Sequence, residues 1–404
     1  MRAAATDDLA THVDELISAR LAAGERFFEA EAERLARCCH LMAERFARGG
    51  RLVALGRSPA ARSDARHVAV EFVHPVIVGK RALPALGLAA EGGPLAAQVE
   101  AVAEPDDIVI GFEAESDRET RAAIVLAREW GCLTIAFGAA GAEWEFEPAG
   151  DDPFVRQELV ETLYHLLWEL VHVFFDQRGL LSGRESRAVH DTGASSFLYP
   201  FLPVAPHDPE EVVDDVRRSV LIKSAEVSEL REQTLAENRE ELLAAGVALR
   251  ALLDSGGRLL ACGNGGSATD AMDLVADLRD PPRGWPRRRA IDLTEDASIL
   301  TAIANDVGIE QIFQRQLIAH GREGDALVVL STSGNSRNLI VALAEARRRG
   351  LVTVAFVGYD GGQIASERLA DHVIVTRSQH IPRIQEAQAS GYHVLRELIE
   401  LVGG

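Results

Sequence analysis

Apolar positions in the carboxyl-terminal half of the chain come in short unbroken runs, at 259–263, 290–293, 326–330, 352–357 and 372–375, with stretches of helical period such as 271–278 between them. A strand covered on both faces has no polar side to alternate with, so its apolar residues run on continuously. Strands of that kind separated by helices predict a parallel sheet with helices on both faces. The amino-terminal half has the same rhythm, and each half opens on a long amphipathic helix pattern.

The halves are also alike residue by residue. Arg51-Leu-Val-Ala-Leu-Gly56 returns as Arg258-Leu-Leu-Ala-Cys-Gly263, Asp107-Ile-Val-Ile-Gly-Phe112 as Asp325-Ala-Leu-Val-Val-Leu330, and Gly131-Cys-Leu-Thr-Ile-Ala-Phe137 as Gly350-Leu-Val-Thr-Val-Ala-Phe356. Arg156-Gln-Glu158 is matched by Arg383-Ile-Gln-Glu386 with one residue of slippage. One duplicated domain accounts for all of these. The predicted fold class is α/β: two tandem, doubly wound parallel sheets of flavodoxin-like three-layer α/β/α type, each preceded by a long helix. Domains are expected at 1–185 and 209–404, with a linker at 186–208 whose apolar run Phe197-Leu-Tyr-Pro-Phe-Leu202 points to a connection pinned to a domain surface.

Composition narrows the field. At 404 residues, 47% hydrophobic and 26% charged, the chain has material for two separate cores. A formal net charge of −20 disfavours phosphodiester backbones and anionic headgroups, so neither nucleic acid nor membrane is expected as a partner. The first ten residues are polar and acidic, no long apolar stretch occurs, and a cytoplasmic location is expected. Cys38, Cys39, Cys132 and Cys262 show no C-x-x-C spacing and are expected to be buried, reduced thiols.

Two loops carry candidate chemistry. After the run ending at Gly263 comes Asn264-Gly265-Gly266-Ser267-Ala268-Thr269-Asp270, leading into a helix pattern. Glycines let backbone N–H groups approach an anion, and the helix N-terminus adds partial positive charge. A tight strand-to-helix turn would make the same demand for glycine. The second loop, Ser331-Thr332-Ser333-Gly334-Asn335-Ser336, places four hydroxyls in six residues after another strand. Capping the next helix requires one hydroxyl, whereas several can converge on one phosphate.

With these loops, Asp270-Ala-Met, Thr301-Ala-Ile-Ala-Asn-Asp306 and Arg383-Ile-Gln-Glu386, the second half resembles sugar isomerase (SIS) domains, and among them the sedoheptulose-7-phosphate (phosphoheptose) isomerases. The resemblance covers about 208–402. It implies that Asn264, Gly265, Gly266, Ser267, Ser331, Thr332, Ser333 and Ser336 hold the substrate's phosphate and hydroxyls, with Asp296 near the sugar chain. Family members carry a His and a Glu four residues apart on the helix after the glycine loop, and a Gln and a His eight apart on the last helix. This set can hold a divalent metal, usually zinc, and serve as base and acid in proton transfer through an enediol. Here the second half has Asp273 and Asp277 on the first of these helices, with Gln385 and His393 on the last.

The first half shows the reverse pattern, with His67 and Glu71, then Gln157 and His165, at the matching positions. Its glycine loop has become Arg57-Ser58-Pro59-Ala60-Ala61-Arg62, and its hydroxyl loop Glu113-Ala114-Glu115-Ser116-Asp117, whose carboxylates repel phosphate. The resemblance thus implies catalytic candidates Glu71, His165, Asp277 and His393, and metal candidates His67, Glu71, Gln157, His165, Gln385 and His393. The expected activity is ketose–aldose isomerisation of a sugar phosphate, sedoheptulose 7-phosphate to glycero-manno-heptose 7-phosphate, with the first half supplying metal and proton-transfer groups to a shared pocket. The alternative is a non-catalytic sugar-phosphate sensor or assembly factor. A homo-oligomer is expected, two tandem chains making a pseudo-tetramer.

Overall fold

The structure, a computed structural model, describes residues 2–76, 80–89, 92–113, 115–148, 150–176 and 209–402, with side chains from Leu9 onward apart from Ala10, Asp176 and Pro209. The expected linker at 186–208 lies outside the described residues. The first sheet consists of β1 (Leu52–Gly56), β2 (Ala85–Ala89), β3 (Ile108–Gly111), β4 (Leu133–Ala136) and β5 (Trp144–Glu145) in the order β2-β1-β3-β4-β5. In the second, β6 (Leu259–Cys262), β7 (Ala290–Asp292), β8 (Ala326–Ser331), β9 (Val352–Gly358) and β10 (His372–Thr376) take the order β7-β6-β8-β9-β10. All pairings are parallel, and both orders are the flavodoxin one.

The duplication extends to side-chain detail. Asp107 accepts from the Arg51 backbone N–H at 2.7 Å and from its guanidinium at 2.8 Å, and Asp325 accepts from Arg258 in the same way at 2.9 and 2.6 Å. Each carboxylate also caps its own turn, taking the N–H of Glu104 at 2.9 Å or of Arg322 at 3.1 Å. These pairs tie the start of the first strand of each copy to the start of the third.

Helices cover the sheets. In the first copy, by chain order, come α1 (Arg2–Ala47), α2 (Pro59–Val73), α3 (Leu95–Val102), α4 (Arg118–Glu129) and α5 (Pro153–Asp176). In the second copy come α6 (Pro209–Glu237), α7 (Arg239–Asp254), α8 (Gly266–Arg279), α9 (Ala297–Asp306), α10 (Ile312–His320), α11 (Arg337–Arg348), α12 (Gly362–Ser366) and α13 (Ile381–Leu401). The continuous apolar strands do face both ways. Leu259, Ala261, Val328, Leu330, Val354 and Phe356 enter one core, and Leu260, Cys262, Leu327, Val329, Ala355 and Val357 the other. All four cysteines are buried and free.

The chain forms two compact units. One, built on the second sheet, comprises Met1–Ala22, Pro153–Glu158 and Glu226–Gly404, and the other, built on the first sheet, comprises Ala23–Asp152 and Leu159–Ala225. The second-sheet unit therefore includes the first turns of α5, a helix that belongs by sequence to the amino-terminal copy. No helix among the described residues is long and apolar enough to cross a membrane.

Candidate active site

In the second-sheet unit the two loops leave the carboxyl ends of β6 and β8, neighbouring strands between which the strand order reverses. Open α/β sheets bind ligands at that switch point. Gly263 is needed because a Cβ there would lie 2.0 Å from the Ser267 carbonyl oxygen, and Gly265 has φ +59 at the step into α8. The second loop is organised by its own hydroxyls. Ser331 Oγ accepts from Gly334 N–H at 3.1 Å and Ser333 Oγ from Asn335 N–H at 3.2 Å. Asn264 and Asn338 join the loops by exchanging side-chain amide hydrogen bonds at 3.1 and 2.8 Å.

Of the residues implied to hold phosphate, Asn264 and Gly265 are exposed, Thr332, Ser333 and Ser336 half-buried, and Gly266, Ser267 and Ser331 buried. Ser336 stands at the N-cap of α11 without a side-chain capping bond. Asp296 is exposed, and its Oδ1 caps α9 by accepting from the N–H groups of Ser298 and Ile299 at 2.8 and 3.0 Å.

The same unit assembles a buried imidazole between carboxylates. Asp273 and Asp277 lie one turn apart on α8, and Gln385 and His393 on α13, all buried. His393 Nε2 is 3.5 Å from Asp277 Oδ2, and its Nδ1 is 2.9 Å from Oε1 of Glu158. Phe154 stacks on the ring at a centroid distance of 4.9 Å. Glu158 also accepts from Arg20 Nε at 3.0 Å and from Ser390 Oγ at 2.5 Å. Burial alone would raise this carboxyl, but the Arg20 charge, the His393 hydrogen bond and the Arg231 charge together hold it down at about 2. Sequence reasoning did not single out Glu158 or Arg20. The signal for Glu158 was the Arg156-Gln-Glu158 echo of 383–386.

In the first-sheet unit, donor atoms of His67, Glu161 and His165 all lie within 4.8 Å of one another, every residue buried. His67 Nε2 is 3.3 Å from His165 Nε2 and 4.0 Å from Glu71 Oε1, and its Nδ1 is 2.9 Å from the Tyr164 hydroxyl. Burial, then His165, pushes the His67 imidazole well below its ordinary range, which leaves it neutral and fit to ligate. Two imidazoles on one tetrahedral zinc, with bonds of about 2.0–2.1 Å, stand about 3.3–3.4 Å apart, so the spacing and the N, N, O donor set fit a divalent cation. Glu161 was not among the sequence candidates, although it lies one turn before His165. Gln157, which was, falls in the Pro153–Glu158 segment of the other unit.

At the first copy's counterparts of these two loops, side chains pair with one another and with nearby backbone. Arg57 Nη1 pairs with Glu119 at 2.8 Å and with Asp117 at 3.4 Å, Asp117 caps α4 through Thr120 N–H at 2.8 Å, and Glu119 takes Leu95 N–H at 2.7 Å.

A flavodoxin-order sheet present twice, with glycine and hydroxyl loops at the switch point of one copy, is the arrangement of sugar isomerase (SIS) domain proteins, and this chain is of that class. The SIS domain profile matches residues 224–358. The phosphoheptose isomerase of Nitratidesulfovibrio vulgaris (strain DSM 19637 / Miyazaki F) is 38% identical over 190 residues, covering 47% of this chain and 90% of that protein. That of Desulfovibrio desulfuricans (strain ATCC 27774 / DSM 6949 / MB) is 42% identical over 172 residues, 42% of this chain and 81% of that protein. The solved C-terminal domain of glucosamine-fructose-6-phosphate aminotransferase from Francisella tularensis superposes with a TM-score of 0.57 at 10% identity over 96% of this chain and 95% of that one, a likeness of fold that spans both copies. The chain belongs to the phosphoheptose isomerase family, a family of sugar-phosphate isomerases.

Proposed function

We propose that the chain interconverts a ketose and an aldose phosphate in the cytoplasm, sedoheptulose 7-phosphate being the substrate the family resemblance favours, and that the second-sheet unit carries the chemistry. The observation behind this reading is that His393, held between Glu158 and Asp277, shares a compact unit with both anion loops. Backbone N–H groups at 264–267 and the hydroxyls of Ser331, Thr332, Ser333 and Ser336, with Ser267, grip the phosphate. Asp277 takes the proton from C1 of the ketose and returns it to C2. His393 Nε2 gives a proton to O2 and receives the one lost from O1, so the enediol forms and collapses with no net change in either group. Asp277 is one methylene shorter than the glutamate of family members, so the reacting carbons must sit closer to α8.

A divalent cation, zinc by resemblance, is proposed on His67, Glu161 and His165, with Glu71 as an additional carboxylate. Bound there it supplies fixed positive charge and Lewis acidity. Two chains pairing into an assembly of four SIS-type domains is the proposed quaternary state.

The test is turnover of sedoheptulose 7-phosphate by the purified protein, followed by direct detection of the aldose product. Conversion that disappears in His393→Gln supports the reading. Saturable binding without turnover in the wild type would replace it with a sugar-phosphate sensor.

A further inference from the structure

Glu158 is a residue of the amino-terminal copy, yet it sits inside the unit that carries the phosphate loops, where nothing in the isomerase reaction requires a third carboxylate. It is 1% exposed, and each of its side-chain oxygens is directed by the fold: Oε1 toward Arg20 Nε and His393 Nδ1, Oε2 toward Ser390 Oγ. Its backbone carbonyl accepts from Arg231 Nη2 at 3.2 Å, which fixes the start of α5. Arg20 is itself held from the far side by Glu397 at 2.9 Å and by the Leu16 carbonyl at 3.2 Å. The carboxylate therefore has little freedom to turn away from the imidazole.

We infer that Glu158 is the positioning residue for His393: it keeps the Nδ1 proton in place in both charge states of the ring, so that Nε2, the nitrogen facing Asp277, is the one that exchanges a proton with substrate. An imidazole that can place its proton on either nitrogen presents the wrong one part of the time, and a fixed carboxylate removes that ambiguity. The amino-terminal copy, which has lost its own cradle, thereby supplies a working part to its twin. A purely structural role, a buried Arg20–Glu158 ion pair joining α1 to α5, would make the His393 contact incidental.

The inference rests on the proposed role of His393, and the experiment separates the two. In wild-type protein carrying 15N-labelled histidine, with the His393 signals assigned by their loss in His393→Gln, Nδ1 is expected to be protonated across the pH range in which the protein is folded. An unprotonated Nδ1 overturns the inference and needs no Glu158 variant. In Glu158→Gln, kcat for sedoheptulose 7-phosphate is expected to fall about 10–100-fold with KM little changed, as for loss of an outer partner that orients a reactive imidazole, and the His393 spectrum to show mixed tautomers. Unchanged kcat and an unchanged spectrum, with His393→Gln inactive, would overturn the role of Glu158 alone. A His393→Gln protein with wild-type kcat would remove the underlying reading and this inference together. Should Glu158→Gln fail to fold, Ser390→Ala, which releases only Oε2, is expected to give a smaller fall in kcat in the same direction, and no fall would count against the inference.

Discussion

Asn264 and Asn338 hydrogen-bond to each other in both directions, at 3.1 and 2.8 Å, and so tie the loop after β6 to the helix after β8. Neither amide is required to build its own loop, because Gly263 and Gly265 shape the first and the Ser331 and Ser333 hydroxyls the second. The pair sets the distance between the two loops proposed to grip phosphate. Asn338→Ala removes both bonds at a net cost of about 0.5–1.5 kcal/mol each, and the expected outcome is a rise in KM of roughly 10-fold for a sugar phosphate with kcat nearly unchanged. Steady-state kinetics checks it, and a loss confined to kcat would place the pair in the chemical step instead.

His172 on α5 gives the fold a predictable acid sensitivity. It is 3% exposed, with Nδ1 2.8 Å from the Trp168 carbonyl and Nε2 3.1 Å from that of Arg81. A neutral ring can donate to only one of them. Burial first, and then the Lys80 charge, hold the imidazole down at about 4 rather than near its ordinary 6.5. Between those values the unfolded chain binds the proton and the folded one does not, so stability is complete above pH 6.5 and falls as the pH drops toward 4. The contribution is on the order of 3 kcal/mol. Denaturant melts at pH 7 and pH 4.5 should show a shallower pH dependence in His172→Leu than in the wild type, since the other titrating groups are common to both. Equal slopes would refute the assignment.

The cation set predicts where metal is lost. His67→Ala or Glu161→Ala removes one of three donors whose atoms lie within 4.8 Å of one another, and each is expected to weaken zinc binding at least 10–100-fold. Asp273→Ala, in the other unit, should leave zinc content unchanged. Metal analysis of the three purified variants decides it: loss of zinc only in Asp273→Ala would move the site to the second-sheet unit.

Much of this was legible in the chain itself. Strands buried on both faces leave continuous apolar runs, so β6 to β10 fall within a residue or two of the runs read from sequence, and the repeat of Arg51 to Gly56 at 258–263 foretold two sheets of one order. The glycine and hydroxyl loops were visible because tight turns and anion cradles restrict residue type locally. Glu158 and Glu161 were not singled out, because what distinguishes them from other helical glutamates is which imidazole they meet, and that depends on how α5 packs. Asp296 was read for the sugar chain; its Oδ1 bonds the first N–H groups of α9, a local role that the residue type signals equally well.

The two copies differ most where each would grip an anion, and this sets the binding stoichiometry. In the second copy the switch point offers backbone N–H groups and hydroxyls. In the first, Arg57 spans to Glu119 and Asp117 at 2.8 and 3.4 Å, so its guanidinium is already balanced by carboxylates and offers an arriving dianion little net attraction. Isothermal titration with a sugar phosphate should therefore give one site per chain. Arg57→Ala, which breaks a partly exposed pair worth about 0–1 kcal/mol, should change neither that number nor the affinity, whereas Gly263→Ala should abolish the site, because its new Cβ would meet the Ser267 carbonyl at 2.0 Å and displace the first turn of α8. Two sites per chain in the wild type, or loss of binding in Arg57→Ala, would return the first cradle to service.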